Sequence, residues 1–412
     1  MGKVLQGRKG QKARFDWIKP FDKIAFYVSR QAWLARWDDF RTMKLDECHT
    51  DQVYTTLIIY NMLEFEQPVE KVDPTPNRKS YRKLLEEFKE RNRQEVLPEG
   101  KLLKINLGEN TDQLTVYNPE PVVIDGQTCI WARVEKRTKE IDSVVILFKE
   151  GKDEGWDVVE GAPVFKGLQD PFYCGVIDGY HILGGVQVYE VAGTPDLGYR
   201  TVFYRYRNSF AELVDQNEEI CDPFAVGPEK MKDIQLIQRE KGRIGVFTRP
   251  QGPYGQFGGR GRIGYFEIES LDQLRSALED YDQKKEPKTL IQGLFIDEKL
   301  GEEEWGGANE LFILPDGKIG VLGHIAGFGD NSNKKNYYPI TFIFNPEAKS
   351  VSNVEIIATA DQFPPVEVKK SDLGSAIYSC GLMRLGNGDA WLYVGVGDRK
   401  PGRILIKDPF GE

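Results

Sequence analysis

Nowhere in its 412 residues does the chain hold an apolar run near the roughly 18–20 residues that span a bilayer, which argues against a membrane helix. The opening stretch MGKVLQGRKGQKARF is basic but lacks the apolar core of a secretory signal. Cysteine is scarce. Cys48, Cys129, Cys174, Cys221 and Cys380 are odd in number, widely scattered and without a CxxC pair. That argues against a disulfide framework or a zinc site and fits a reducing cytoplasm. Positive charge is also in deficit. The formal net charge is −9, so the protein's field repels polyanions and nucleic-acid binding is disfavoured. An anionic substrate would therefore need a local cluster of cations. No internal repeat shows as sequence identity. What is there is a soluble, globular balance, with 40% apolar and 29% charged residues.

Two compositions meet near residue 100. Before it, Tyr81, Leu84, Leu85 and Phe88 fall at i, i+3, i+4 and i+7, which predicts a helix within Asn77–Leu97. A second helix is expected over Asp51–Phe65, opened by Thr50 or Asp51, with Pro68, Pro74 and Pro76 between the two. Residues 1–14 read as a solvated basic tail. Beyond residue 100 the signals are strands. Val122–Ile124, Ser143–Phe148, Ile244–Thr248, Leu311–Leu314, Ile319–Leu322, Ile340–Phe344 and Trp391–Val396 are short and rich in β-branched and aromatic residues. Turn clusters such as Asp125-Gly126, Pro315-Asp316-Gly317 and Gly386-Asn387-Gly388-Asp389 punctuate them. One helical insert, Ser270–Tyr281, follows a strand at Tyr265–Ile268. Many short strands imply a sandwich, a barrel or a propeller, and about 310 residues suit five four-stranded blades better than one simple sandwich.

One motif misleads. Gly259-Arg260-Gly261-Arg262-Ile263-Gly264 fits GxGxxG, but that fingerprint needs a helix opening at its last glycine, and here a strand follows. A nicotinamide oxidoreductase is set aside on that ground. Gly167-Leu168-Gln169-Asp170-Pro171-Phe172 is more informative, because an acid between a glycine turn and a proline sits in a rigid loop; an Asx turn ending a strand would look the same. Lys232 and Asp233, Arg249, Asn309 and Glu310 beside Trp305, and His324 likewise place polar side chains beside apolar strand residues. Taken singly, each is equally a surface ion pair or a satisfied core group. Taken together, they are a set of polar groups at strand ends that successive blades of a propeller would bring to one axis.

The order of motifs resembles the mannosyltransferase/phosphorylase family of β-1,2-mannan metabolism, formerly a domain of unknown function. It is more distantly similar to the mannoside phosphorylases of glycoside hydrolase family 130. The stretches are VYNPEPV (Val116–Val122), IWARVEKR (Ile130–Arg137), GLQDPF, GGVQV (Gly184–Val188), GPEKMKDIQL (Gly227–Leu236), VFTRPQG (Val246–Gly252), WGGANE, VLGHIA and YVGVGD (Tyr393–Asp398). The resemblance runs from about residue 103 to the end and implies an all-β, five-bladed propeller over 101–412, while 1–100, outside it, reads from its composition as basic tail and helical extension. It implies Asp170 as general acid and Lys232, Arg249 and His324 as the phosphate ligands. It places Asn118, Arg133, Asn309 and Asp398 around the pocket, and Asp233, Trp305, Glu310 and Tyr338 are further candidates for contact with the substrate. No metal or cofactor is expected. Gln169 replaces the family's Glu, and Phe172 stands where the phosphorylases carry Arg; Arg205 and Arg260 are candidates to supply that charge.

The implied partners are β-mannooligosaccharides with phosphate or mannose 1-phosphate, or GDP-mannose as donor. A phosphorylase needs one carboxylic acid, because phosphate is already an anionic nucleophile that cations orient. Asp170 would protonate the leaving oxygen while phosphate attacks with inversion, which calls for a raised pKa. Tyr117, Trp305, Tyr337 and Tyr338 are candidate stacking rings for sugar faces. A hydrolase would need a second acid from Asp233, Glu135, Glu310 or Asp398. A non-catalytic sugar-binding propeller is the rival from another class.

Overall fold

The structure, a computed structural model, describes residues 79–411 apart from 109–112, 137–138, 251–259, 285–300, 302, 330–333 and 353. The basic tail and the helix expected over Asp51–Phe65 lie outside the described residues. Among the described residues, a helix at the start is followed by mostly strand, as expected.

The strands follow one another as five antiparallel meanders. The first runs Leu114–Ile124, Gln127–Lys136, Lys139–Glu150 and Gly155–Val158, and the second Leu168–Ile177, Tyr180–Glu190, Leu197–Tyr206 and Ala225–Val226. The third is shorter, Gln235–Gln238, Ile244–Thr248 and Gly264–Ile268, and the insert helix Leu271–Lys284 follows it. The fourth is Trp305–Ile313, Ile319–Phe328 and Lys335–Asn345 with two short edge strands; the fifth is Leu373–Arg384, Asp389–Val396 and Lys400–Lys407. Lys101–Leu102 pairs with that last strand, so the start of the strand region is fastened to its end.

The opening strands of the meanders touch in series, first to second through to fifth, and the fifth touches the first again. The sheets thus curl about a common centre, with these five strands innermost. Between neighbouring meanders lie the apolar cores. Trp131, Phe165 and Leu183 pack between the first and second, and Phe203, Ile234 and Val246 between the second and third. A sheet packed on both faces explains the near-continuous apolar runs in its middle strands.

The predicted helix near residue 80 is present but shorter, Tyr81–Arg91. Ser80 caps it by accepting from the Lys83 N–H, and the Asn92 side chain closes it on the Phe88 carbonyl. Tyr81, Leu84 and Phe88 are its buried face, and they pack with Ile325, Tyr338, Ile340 and Ile356 of the fourth meander. Among the described residues no helix is long and apolar enough to cross a membrane.

Candidate active site

Four of the five innermost strands break register within their length. The breaks fall between Tyr117 and Glu120, Gln169 and Phe172, Ala308 and Glu310, and Ser379 and Gly381. The interrupting residues include Asn118, Asp170, Asn309 and Cys380. A bulge of this kind frees a residue from the ladder and re-aims its side chain. Pro119 and Pro171 have no N–H to offer a ladder, so the sequence itself encodes two of the breaks. Asn118, Asp170, Asp233 and Asp398 also hold left-handed backbone, with φ of 52°, 44°, 61° and 53°. Asn and Asp tolerate that region because their short polar side chains bond locally.

Beside these breaks lies a cavity of about 210 Å³. Tyr117, Asn118, Arg133 and Glu140 line it from the first meander, Gln169 and Asp170 from the second, and Lys232 and Arg249 from the third. His324 and Tyr337 come from the fourth, and Lys369, Lys370, Tyr378 and Asp398 from the fifth and its approach.

Asp170 has three polar partners. Asn118 Nδ2 donates to its Oδ1 at 2.7 Å and Arg133 Nη1 at 3.2 Å, while Lys232 Nζ lies 3.7 Å from Oδ2. Burial alone would raise the Asp170 carboxyl, but Arg133, then Lys232 and Asn118, outweigh it and hold it down to about 2. The expected raised pKa is therefore corrected. Arg133 is aimed by Glu135, whose Oε2 accepts from both Nε and Nη2, at 2.9 and 2.7 Å. Glu135 is spent on that task and on Tyr117, Ser143 and Lys369.

The opposite wall is cationic. Arg249 Nε donates to the Gly306 carbonyl at 2.6 Å and lies 3.3 Å from Asp233 Oδ2. Gly307 makes this packing possible: a Cβ there would come within 2.8 Å of both Asp233 Oδ2 and the His324 ring. His324 Nδ1 lies 2.9 Å from Asn309 Oδ1, and Asn309 Nδ2 donates to Tyr378 Oη, which donates to Asp233 Oδ1. Burial lowers His324, Asp233 opposes, and Arg249 and Lys232 add to the fall, so the ring is pushed down to about 3. It is a neutral hydrogen-bonding group at physiological pH.

Of the twelve residues expected at the site, Asp170, Lys232, Arg249, His324, Asn118, Arg133 and Asp398 line the cavity. Asp233 and Asn309 stand one layer behind, around a small void they share with Asp170, Gln235 and Tyr378. The other three do not line it. Trp305 packs on Phe328 and Tyr337, with centroids 5.1 and 6.2 Å away, and Tyr338 stacks on Tyr81 at 5.7 Å. Glu310 is half-buried and accepts from the Leu382 N–H at 2.5 Å. Neither cation suggested to replace the family's arginine reaches the cavity: Arg205 lies over Tyr180 and Phe224, and Arg260 pairs with Glu303. Phe172 is core, edge-on to Phe203. Glu140, Lys369, Lys370 and Tyr378 line the cavity without having been singled out in the sequence. The Lys369-Lys370 pair just before a strand was the available signal. Among the described residues no group of three or more His, Cys, Asp or Glu is placed to hold a metal.

The model of a protein family described as of unknown function, DUF1861, matches residues 89–412. Among solved structures, MPT-4, a mannose phosphorylase from Leishmania mexicana in complex with phosphate ion, is 31% identical with a TM-score of 0.65, covering 80% of this chain and 94% of that one. MPT-1, a GDP-Man-dependent mannosyltransferase from Leishmania mexicana, is 29% identical with a TM-score of 0.64, covering 79% and 94%. A hypothetical protein from Leishmania major is 28% identical with a TM-score of 0.60, again covering 79% and 94%. No curated protein matches the chain.

Proposed function

We propose that this chain, which belongs to the DUF1861 family, is a mannoside phosphorylase or mannosyltransferase working at the cavity around Asp170. The observation that carries the reading is Asp170, with Lys232 beside it, sharing a cavity of about 210 Å³ with Arg249 and a neutral His324. It is supported by relatives described as a mannose phosphorylase and a GDP-Man-dependent mannosyltransferase. We take the five meanders as the blades of a propeller spanning 101–412, with the preceding residues as extension, and we place the enzyme in the cytoplasm, working without a cofactor.

A phosphate oxygen held by Lys232, Arg249 and His324 attacks the anomeric carbon of a terminal β-mannosyl unit. The bond to the leaving oxygen breaks as Asp170 protonates that oxygen, directly or through a sugar hydroxyl. Inversion yields α-mannose 1-phosphate and a shortened mannoside. In the reverse direction Asp170 is the base, and the α-linked mannosyl unit of mannose 1-phosphate or GDP-mannose is transferred to a hydroxyl. Arg249 offers planar donors to phosphoryl oxygens and Lys232 a mobile point charge. Asn118, Arg133, Asp398 and the rings of Tyr117 and Tyr337 remain to hold the sugar.

One observation favours a second reading. Of the four acids that a hydrolase might use as base, Asp398 lines the cavity, and burial, then the Asp170 charge, raises its pKa. Incubation with β-1,2-mannobiose and longer oligomers, with and without phosphate, separates the two. Mannose 1-phosphate formed only with phosphate, and lost in Asp170→Asn, supports the phosphorylase, and GDP-mannose is tested next. Free mannose formed without phosphate supports the hydrolase. Mannoside binding with no product in any lane overturns both.

A further inference from the structure

The cations of the cavity are held with unequal firmness. Arg133 is clamped on Glu135 through two nitrogens, Arg249 is bonded to the Gly306 carbonyl and paired with Asp233, and Lys369 lies against both Glu135 and Glu140. Lys232 meets Asp170 at 3.7 Å, the longest of these cation–carboxylate contacts, and its side chain is 30% exposed against 7% for Arg133 and 4% for Arg249. A lysine is also a point charge on a flexible stem, able to change partners without breaking a fork of bonds.

We propose that Lys232 is a shared cation: an incoming phosphate draws its Nζ away from Asp170 Oδ2, and Asp170 takes up a proton from solvent in exchange. The inference rests on the phosphate-binding role proposed above. It answers a difficulty in that role, since a carboxyl at about 2 is protonated in on the order of one molecule in 100,000 at pH 7. Withdrawing a cation and adding a neighbouring anion both favour the neutral carboxyl, so the two effects reinforce one another. The other titratable groups that feel Asp170 are Tyr117, His324, Tyr378, Cys380 and Asp398. The two tyrosines and the cysteine are raised by burial and stay neutral, which leaves His324 and Asp398 as rival proton acceptors. Phosphate then loads the acid it works with, and linkage requires the reverse as well: a neutral residue at 170 must tighten phosphate binding.

The test is calorimetric titration of inorganic phosphate into the full-length protein at pH 8, where phosphate is mostly dianion, in buffers of different ionisation enthalpy. Wild type is expected to take up protons on binding. Asp170→Asn is expected to take up none and to bind phosphate more tightly by several orders of magnitude, because raising a carboxyl from about 2 to the pH of the titration takes about six pKa units of coupling, tenfold each. Asp398→Asn should keep the uptake. In a Lys232→Met background, the gain from Asp170→Asn should shrink. An equal gain in both backgrounds would mean plain charge repulsion and overturn the shared cation. Uptake that survives in Asp170→Asn, or vanishes in Asp398→Asn, would put the proton elsewhere and overturn it too. Phosphate binding to neither wild type nor Asp170→Asn would instead remove the proposed function, and this inference with it. The uptake by wild type needs no variant, so a misfolded substitution does not spoil the test.

Discussion

The role proposed for Asp170 depends on the groups that hold it, and the most exacting of these is Asn118. Its Nδ2 donates to the carboxylate at 2.7 Å, and Gly395 of the fifth meander packs directly on its Oδ1, where an added Cβ would overlap the oxygen. Gly395→Ala should therefore displace the amide. We expect about a tenfold or larger fall in turnover, in the range of a misplaced catalytic group, with a stability cost of about 1–3 kcal/mol from overpacking. Asn118→Ala should match the loss in turnover, and the double variant should lose little more, because both act on one interaction. Steady-state kinetics well below the melting temperature would check this; independent, multiplying losses would refute it. Asp170→Asn itself should lower turnover by about 10²–10⁴, the usual worth of a positioned proton donor, while leaving the melting temperature within a few degrees.

At the scale of elements, two features were legible in the sequence to different degrees. The helix Tyr81–Arg91 was visible from its 3.6-residue apolar spacing, although its ends were not, since caps such as Ser80 and Asn92 are common polar residues whose role depends on geometry. Leu84 is 1% exposed within the cluster that joins this helix to the fourth meander. Leu84→Ala should cost about 2–5 kcal/mol of unfolding free energy, and Ser80→Ala about 1 kcal/mol. Denaturant melts would show whether that order holds; a cost below about 1 kcal/mol for Leu84→Ala would mean that the helix is not docked. The register breaks were legible only where a proline marks them, after Asn118 and Asp170. At Asn309 and Cys380 nothing in the sequence distinguishes a bulged residue from a paired one, and the break appears only when the two strands are laid together.

Across the whole molecule, Glu120 of the first meander is fully buried and Glu310 of the fourth is half-buried, and the two form an electrostatic pair. Glu120 Oε1 accepts from the Tyr173 N–H and Glu310 Oε2 from the Leu382 N–H, so the pair ties the second and fifth meanders as well. Burial raises both acids, Glu120 further through the Glu310 charge, and Glu310 is pushed up to about 8. The folded protein therefore keeps protons that the unfolded chain releases. The pair's contribution to stability is fully present below the ordinary glutamate range and is lost as pH rises toward about 8. Denaturant midpoints should fall across that interval, and Glu310→Gln should flatten the fall. A wild-type midpoint that stays level from pH 5 to 8 would show that the pair does not hold the proton.

Sequence by itself determined the element types, through periodicities of 3.6 and 2, and the residues of the Asp170, Lys232, Arg249 and His324 motifs, because charged groups beside apolar strand residues break an otherwise regular pattern. It could not rank those groups by position. Trp305, Tyr338 and Glu310 sit within or beside the same motifs as cavity residues, yet alternation along a strand and the depth of each bulge turn them away from the cavity. Lys369, Lys370 and Tyr378 gain their place only from the closing of the ring, which brings the fifth meander against the first. The state of Asp170 was likewise beyond the sequence. Burial and cations pull its pKa in opposite directions, and only the distances to Arg133, Lys232 and Asn118 decide which wins.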